Sequence, residues 1–209
     1  MTFSIIIPAY NSETYIRKLL DSIRSQTFTD YEIIVVCDKC TDNTEQVAKE
    51  YGAITDNVSF GRDGLTRDRG LELASGTWIL FADDDDWFYS PSAFQELADF
   101  IAQQPANTDV IGFGYENRTK GYVKPSYFTI FAPRLGHVWS ACWKHSSIQH
   151  ARFGDAVFCS DTYFIRDVKR NGANFKLLDK PTYYYNFLRP GSQTDLFCQG
   201  KIKESPIAK

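Results

Sequence analysis

The stretch GLTRDRGLELASGTWILFADDDDW, residues 64–87, decides how the chain reads. Residues 65–74 follow helical spacing and Gly76 ends them; Trp78 to Ala82 is a continuous apolar run, the pattern of a strand buried on both faces. That strand runs straight into Asp83, Asp84, Asp85 and Asp86. Adjacent carboxylates repel one another and call for a counter-charge, which a divalent cation supplies. Ligands of open α/β sheets bind at the carboxyl ends of strands, and Trp87-Phe88 follow at once, so a partly packed ligand turn fits better than a solvated acidic run. An all-oxygen set of this kind points to magnesium or manganese, which bind through one or two carboxylates plus substrate phosphates. A calcium helix-loop-helix is a poor match, because Trp87 and Phe88 stand where its loop needs an acidic residue and a glycine.

Working outward, the first half alternates strands and helices as βαβ units do. Phe3 to Pro8 and Tyr31 to Val36 read as buried strands. Asn11 and Ser12 can cap a helix with Tyr15, Ile16, Leu19, Leu20 and Ile23 on one face, and Thr41 and Asp42 a second helix reaching about Tyr51. A weak strand follows near Ala53 to Val58, and Ser90-Pro91 start a helix with Phe94, Leu97, Ala98 and Ile101 inward. Beyond about residue 105 the pattern loosens. Asp109 to Tyr115 reads as a strand, 122–144 as strands and long loops, Asp161 to Asn171 as a helix, and 175–178 with 182–187 as a closing pair of strands. The expected architecture is one α/β domain with a mostly parallel, Rossmann-type sheet: a nucleotide-binding half over 1–104, an acceptor half over 105–199 sharing that sheet, and a tail over 200–209.

Composition agrees with a globular protein. The 209 residues are 43% hydrophobic and 23% charged, and the 15% aromatic share suits a dense core or a ligand cleft. A net charge of −3, without a Lys/Arg stripe, argues against nucleic-acid binding. No apolar run is long enough to cross a bilayer and the start does not read as an export signal, so the expected address is cytoplasmic. The odd, scattered cysteines at 37, 40, 142, 159 and 198 then read as reduced thiols. Cys37-x-x-Cys40, between a strand and a helix, is the setting of redox sites and makes a redox protein the rival class, though that reading leaves the aspartates and Arg67 unused.

The segments PAYNSE at 8–13, IIVVCDKCTDNT at 33–44, residues 64–87 and Ser160-Asp161 together resemble the ordered landmarks of family 2 glycosyltransferases with the GT-A fold. The resemblance covers residues 3–100 well and the rest loosely. It implies an inverting, metal-dependent transferase using Mn2+ or Mg2+ and a nucleotide-diphosphate sugar, a UDP-sugar favoured, with a glycan or lipid-linked acceptor. A lipid-linked acceptor would bring peripheral contact with the inner face of a membrane.

Carried over by position, Pro8, Ala9, Tyr10, Asn11, Glu13 and Asp38 fall where the family holds the nucleoside, and Arg67 where it faces the nucleotide. Asp83 and Asp84 fall toward the donor, Asp83 and Asp85 on the metal pair, and Asp161 on the catalytic base. Three departures stand out: Cys37-Asp38-Lys39-Cys40 replaces the usual Asp-Asp-Gly-Ser, Asp68 an Asn, and Ser160 a Glu. Asp155 and Asp167 therefore stay as alternatives to Asp161, and a catalytically silent nucleotide-sugar-binding module stays as an alternative function. Among the remaining residues, Trp139 and Trp143 are acceptor-stacking candidates, Arg189 could fold over the diphosphate, and one of His137, His145 and His150 could complete a metal shell.

Overall fold

The computed structural model describes residues 1–131, 137–156, 160–187 and 199–200. In chain order these form β1 (Phe3–Ala9), α1 (Glu13–Arg24), β2 (Tyr31–Asp38), α2 (Thr44–Glu50), β3 (Ile54–Val58), α3 (Asp63–Leu73), β4 (Trp78–Phe81), β5 (Trp87–Phe88), α4 (Ala93–Ala102), β6 (Val110–Asn117), β7 (Gly121–Val123), α5 (Tyr127–Phe131), a 3-10 turn (Val138–Ser140), β8 (Ala141–Lys144), α6 (His145–Ile148), α7 (Asp161–Arg170) and β9 (Phe175–Tyr185). One sheet runs in the order β3-β2-β1-β4-β8-β6-β9-β5, with β7 on β6. Strands β1 to β4 are mutually parallel, while β8 enters antiparallel between β4 and β6. Residues from both ends of the chain therefore share one sheet. Among the described residues, no helix is long and apolar enough to cross a membrane.

Alternation along the strands builds two cores. Ile5, Ile7, Val35 and Leu80 pack on the face covered by α1, α2 and α4; Ile6, Ile34, Val36, Ile79 and Phe81 pack on the other, with Phe153, Phe164 and Val168. Burial of both faces is why these strands are continuous apolar runs, each such side chain contributing about 2 kcal/mol. Helix α3 lies close on the second face because it carries glycines there. A Cβ at Gly70 would stand 2.3 Å from Ile6 Cγ2, and one at Gly64 would stand 2.2 Å from the Gly154 carbonyl.

Several local expectations are corrected. Tyr15 is 39% exposed, since at about 100° per residue it sits a quarter-turn off the stripe of Ile16, Leu19, Leu20 and Ile23. Neither Asn11 nor Ser12 caps α1 with its own side chain. Instead α1 and α2 cap each other: Asp42 Oδ2 accepts from Glu13 N at 3.0 Å, and Glu13 Oε2 accepts from Asn43 N at 3.2 Å. The expected closing pair is one strand, β9, whose register against β6 slips around Pro181. Proline has no N–H for the ladder, so the strand bulges there and resumes. Trp139 and Trp143 are buried, 2% and 0% exposed, so neither ring is open to an acceptor. Trp143 donates to the Val138 carbonyl at 2.8 Å, and Trp139 is stacked between His137 and Tyr183.

Candidate active site

Because β1, β2 and β4 are parallel, their carboxyl ends open on one edge, and the turns 8–11, 37–40 and 82–86 meet there. Asn11 takes a left-handed backbone (φ 47°), and its Oδ1 accepts from Thr41 N at 2.7 Å, joining the first two turns. Tyr10 N donates to Asp84 Oδ2 at 3.4 Å, joining the first to the aspartates. The Tyr10 side chain is 66% exposed over this edge, which is unusual for a large ring and leaves a face free for a ligand.

Arg67 is the centre of the site. It emerges from α3, is 6% exposed, and its Nη2 donates to Asp83 Oδ1 at 2.8 Å. Its Nε donates to Asp63 Oδ2 at 3.2 Å and stands 4.0 Å from Asp161 Oδ1. Burial opposes its charge, but the three carboxylates more than offset this and hold the guanidinium protonated. Nη1 is buried and has no partner among the described residues. An unpaired buried cationic donor is costly, and an anionic oxygen would relieve it.

Around this cation the carboxylates are perturbed in the opposite sense. Asp161, the first residue of α7, is pushed up to about 7 by burial, with Asp83 and Asp63 adding repulsion against the pull of Arg67. Its Oδ2 accepts from Val138 N at 3.1 Å, which fixes the group beside Arg67. Asp83 is raised by burial and by Asp85 despite Arg67, and its N–H donates to the Tyr183 hydroxyl at 2.9 Å. Asp86 is buried and raised well above its ordinary value by burial; its Oδ1 accepts from Asn186 N at 2.8 Å. Ser160 donates to Asp63 Oδ2 at 2.7 Å, so it joins the Arg67 network through Asp63.

Two residues grouped with the nucleoside have structural partners. Glu13 is engaged by the Asn43 backbone and side-chain amides. Asp38 accepts from Gly61 N at 2.9 Å, Arg62 N at 3.1 Å and Thr66 Oγ1 at 3.1 Å, anchoring the start of α3. A carboxylate has about four acceptor positions, so among the described residues Asp38 keeps one. Asp68 accepts from Phe153 N and Gly154 N, both at 3.0 Å, tying α3 to the second half of the chain. Asp155 is exposed, and Asp167 pairs locally with Arg166 at 3.7 Å; among the described contacts neither joins Arg67 or Asp83. His145 and His150 approach the backbone carbonyls of Gly76 and Asp167, and His137 stacks on Trp139. Arg189 lies outside the described residues.

Among the described residues no three His, Cys, Asp or Glu side chains converge as a complete metal cage. The chemistry of Asp83 and Asp85 nevertheless fits a hard cation that takes part of its shell from phosphate: the donors are all oxygen, and burial, with repulsion from Asp85 added, already raises Asp83.

The sequence landmarks do not point to Asp63 or Asn186, and Tyr183, which reads as core and is buried, gives no sign of its bond to the aspartate turn. Asp63 was legible in principle as an i,i+4 partner of Arg67. Tyr183 and Asn186 reach the aspartate turn from about 100 residues away, which no local pattern encodes.

Residues 4–171 match the model of glycosyl transferase family 2. The chain belongs to that family. It is 28% identical over 220 residues to the uncharacterized glycosyltransferase EpsJ of Bacillus subtilis, covering 92% of this chain and 63% of that protein. It is 29% identical over 211 residues to the poly(ribitol-phosphate) beta-N-acetylglucosaminyltransferase TarS of Staphylococcus aureus, covering 91% of this chain and 36% of TarS. The crystal structure of S. aureus TarS 1-349 in complex with UDP-GlcNAc superposes with a TM-score of 0.81 at 25% identity, over 93% of this chain and 61% of that one. The family and the GT-A-like α/β fold agree with the resemblance read from the sequence. This chain spans less than two thirds of the length of each of these relatives.

Proposed function

We propose that the protein transfers a sugar from a nucleotide-diphosphate sugar, of the uridine type, to a hydroxyl of a glycan or lipid-linked acceptor with inversion. The observation that carries this is Arg67: a buried guanidinium bound to Asp83, close to Asp161, and holding one donor unpaired. In this reading Nη1 takes a diphosphate oxygen. Pro8, Ala9, Tyr10 and Asn11 form the nucleoside turn, held in place by Glu13, and the free acceptor position of Asp38 takes the ring N–H of uracil. The uridine preference follows TarS, whose complex with UDP-GlcNAc shares this fold.

Asp83 and Asp85 would hold Mg2+ or Mn2+, with Asp84 beside the donor; when bound, the ion supplies charge neutralisation for the leaving diphosphate. Asp161 is the general base. Inversion needs a carboxylate that accepts the acceptor's proton on the face opposite the leaving group, and a group poised near neutral pH suits that task. The unpaired donor of Arg67 calls for a bound anion.

The test is a panel of UDP-sugars incubated with the protein, manganese and crude cell-envelope glycan, with UDP release followed over time. The reading predicts release from one donor by the wild type and none by Asp161→Asn. Release by neither, from a protein that binds UDP, would leave a binding module.

A further inference from the structure

Cys37-x-x-Cys40 is the one sequence motif that sugar transfer leaves unused. The two sulfurs are in unlike settings. Cys37, at the end of β2, is fully buried on the face covered by α1 and α2; Cys40, three residues on, is half-buried in the turn before α2. The left-handed Lys39 (φ 59°) bends the chain between them. The Cys40 sulfur accepts from Asn11 N at 3.4 Å and from the Cys37 thiol, and as a thiol it donates to the Ala9 carbonyl at 3.4 Å. The Cys37 thiol and the Asn11 N–H ease loss of the Cys40 proton, which otherwise rests on the Ala9 carbonyl, and the shared proton together with burial keeps Cys37 a thiol. A reachable, thiolate-prone cysteine beside a buried partner has the asymmetry of an attacking and a resolving pair.

We propose that Cys40 is a site of thiol–disulfide exchange with low-molecular-weight disulfides, resolved by Cys37, and that the resulting disulfide weakens nucleotide binding at the adjoining turn. The exchange stands on the two cysteines alone, whereas its effect on binding rests on the donor reading above. In the first step the Cys40 thiolate attacks one sulfur of a small disulfide; that S–S bond breaks, a thiolate leaves, and Cys40 carries a mixed disulfide. The hydrogen bond that held the proton on Cys37 is then gone. Cys37 releases its proton and attacks the Cys40 sulfur, expelling the second thiolate, which takes up a proton. Counting the proton that Cys40 gives to solvent on ionising and that the first departing thiolate takes back, the two cysteines lose two electrons and two protons, and the small disulfide is reduced to two thiols.

Closure reaches the site because the Cys40 sulfur is bonded to the nucleoside turn itself. Ala9 is in register with Cys37, and Asn11 holds an unusual backbone with the Cys40 sulfur on its N–H. A sulfur drawn into a bond with Cys37 gives up its thiolate charge and its place under Asn11. By linkage, a bound nucleotide must disfavour the disulfide at equilibrium by the factor by which the disulfide weakens the nucleotide.

The experiment exposes the full chain to glutathione disulfide, digests it without reduction and maps the cysteines by mass. Expected are a Cys37–Cys40 cross-link in the wild type, one glutathionyl group retained on Cys40 in Cys37→Ser, and neither in Cys40→Ser. Calorimetry should show uridine diphosphate with manganese binding several-fold more weakly to the cross-linked protein, with recovery after dithiothreitol. A Cys40 that stays unreacted while the guanidinium-unfolded chain reacts overturns the exchange, as does a mixed disulfide that persists in the wild type. Equal affinity of the reduced and cross-linked forms overturns the coupling. If uridine diphosphate binds neither form, the donor reading has failed and the coupling with it, while the cross-link map still decides the exchange.

Discussion

Arg67 Nη2 donates to Asp83 Oδ1 at 2.8 Å while the same guanidinium stands 4.0 Å from Asp161 Oδ1. One cation thus links the turn after β4 to the first residue of α7, the two elements on which the proposed donor and acceptor chemistry depends. Its removal leaves Asp63, Asp83 and Asp161 facing one another without a counter-charge.

Arg67→Met should therefore destabilise the fold by about 3 kcal/mol, the cost of stripping one partner from a buried ion pair, and should also abolish transfer. Urea unfolding at neutral pH checks the first part. An unchanged midpoint would show that the guanidinium is not the organiser of the site.

Asp161→Asn should remove turnover and leave the affinity for uridine diphosphate unchanged, since the amide keeps the shape and loses the basicity. With its carboxyl raised to about 7, the wild type should gain kcat/KM as pH rises through that value and then level off. Stability should move the other way. The folded state holds a proton on Asp161 that the unfolded chain releases near an ordinary carboxylate value of about 4, so this stabilisation is complete below about 4 and is lost as pH rises through about 7. Metal-free unfolding from pH 4 to 8 should show that slope in the wild type and a smaller one in Asp161→Asn; identical slopes would contradict the raised carboxyl.

Asp38→Ala should lower stability even without nucleotide, by about 3 kcal/mol, the upper end for hydrogen bonds to a charged group, because Gly61, Arg62 and Thr66 all donate to it. A residue that only met the base would leave the ligand-free melting temperature where it was.

Gly70→Ala should cost about 1–3 kcal/mol, because the new Cβ falls 2.3 Å from Ile6 Cγ2 and α3 must move off the sheet. Arg67 rides on the same helix, so nucleotide binding should weaken with stability in thermal-shift assays. A stable variant with full binding would show that the α3–β1 approach is not needed.

The sequence made the site edge legible where one physical rule dominates. Strands buried on both faces are continuous apolar runs, so β1, β2 and β4 are plain in Phe3–Pro8, Tyr31–Val36 and Trp78–Ala82, and the acidic turn follows from the last. What local pattern could not carry were contacts made across the chain. Asp38 reads only as a nucleoside contact until Gly61 and Arg62 are seen to donate to it as well. The stacking candidates Trp139 and Trp143 read as surface rings because Pro, Gly and aromatics crowd that segment, yet β8 is inserted between β4 and β6 and buries them. Strand β9 looked like two because Pro181 interrupts it, and the bulge that rejoins it depends on β6.

The most direct test of the donor reading is calorimetric titration of uridine diphosphate into the wild type and Asp85→Asn, each with manganese and with chelator. The account predicts tight binding to the wild type only with manganese, and the same weak binding by Asp85→Asn in both conditions. Equal affinity of the wild type with manganese and with chelator would contradict the placement of the diphosphate and its ion at Asp83 and Asp85.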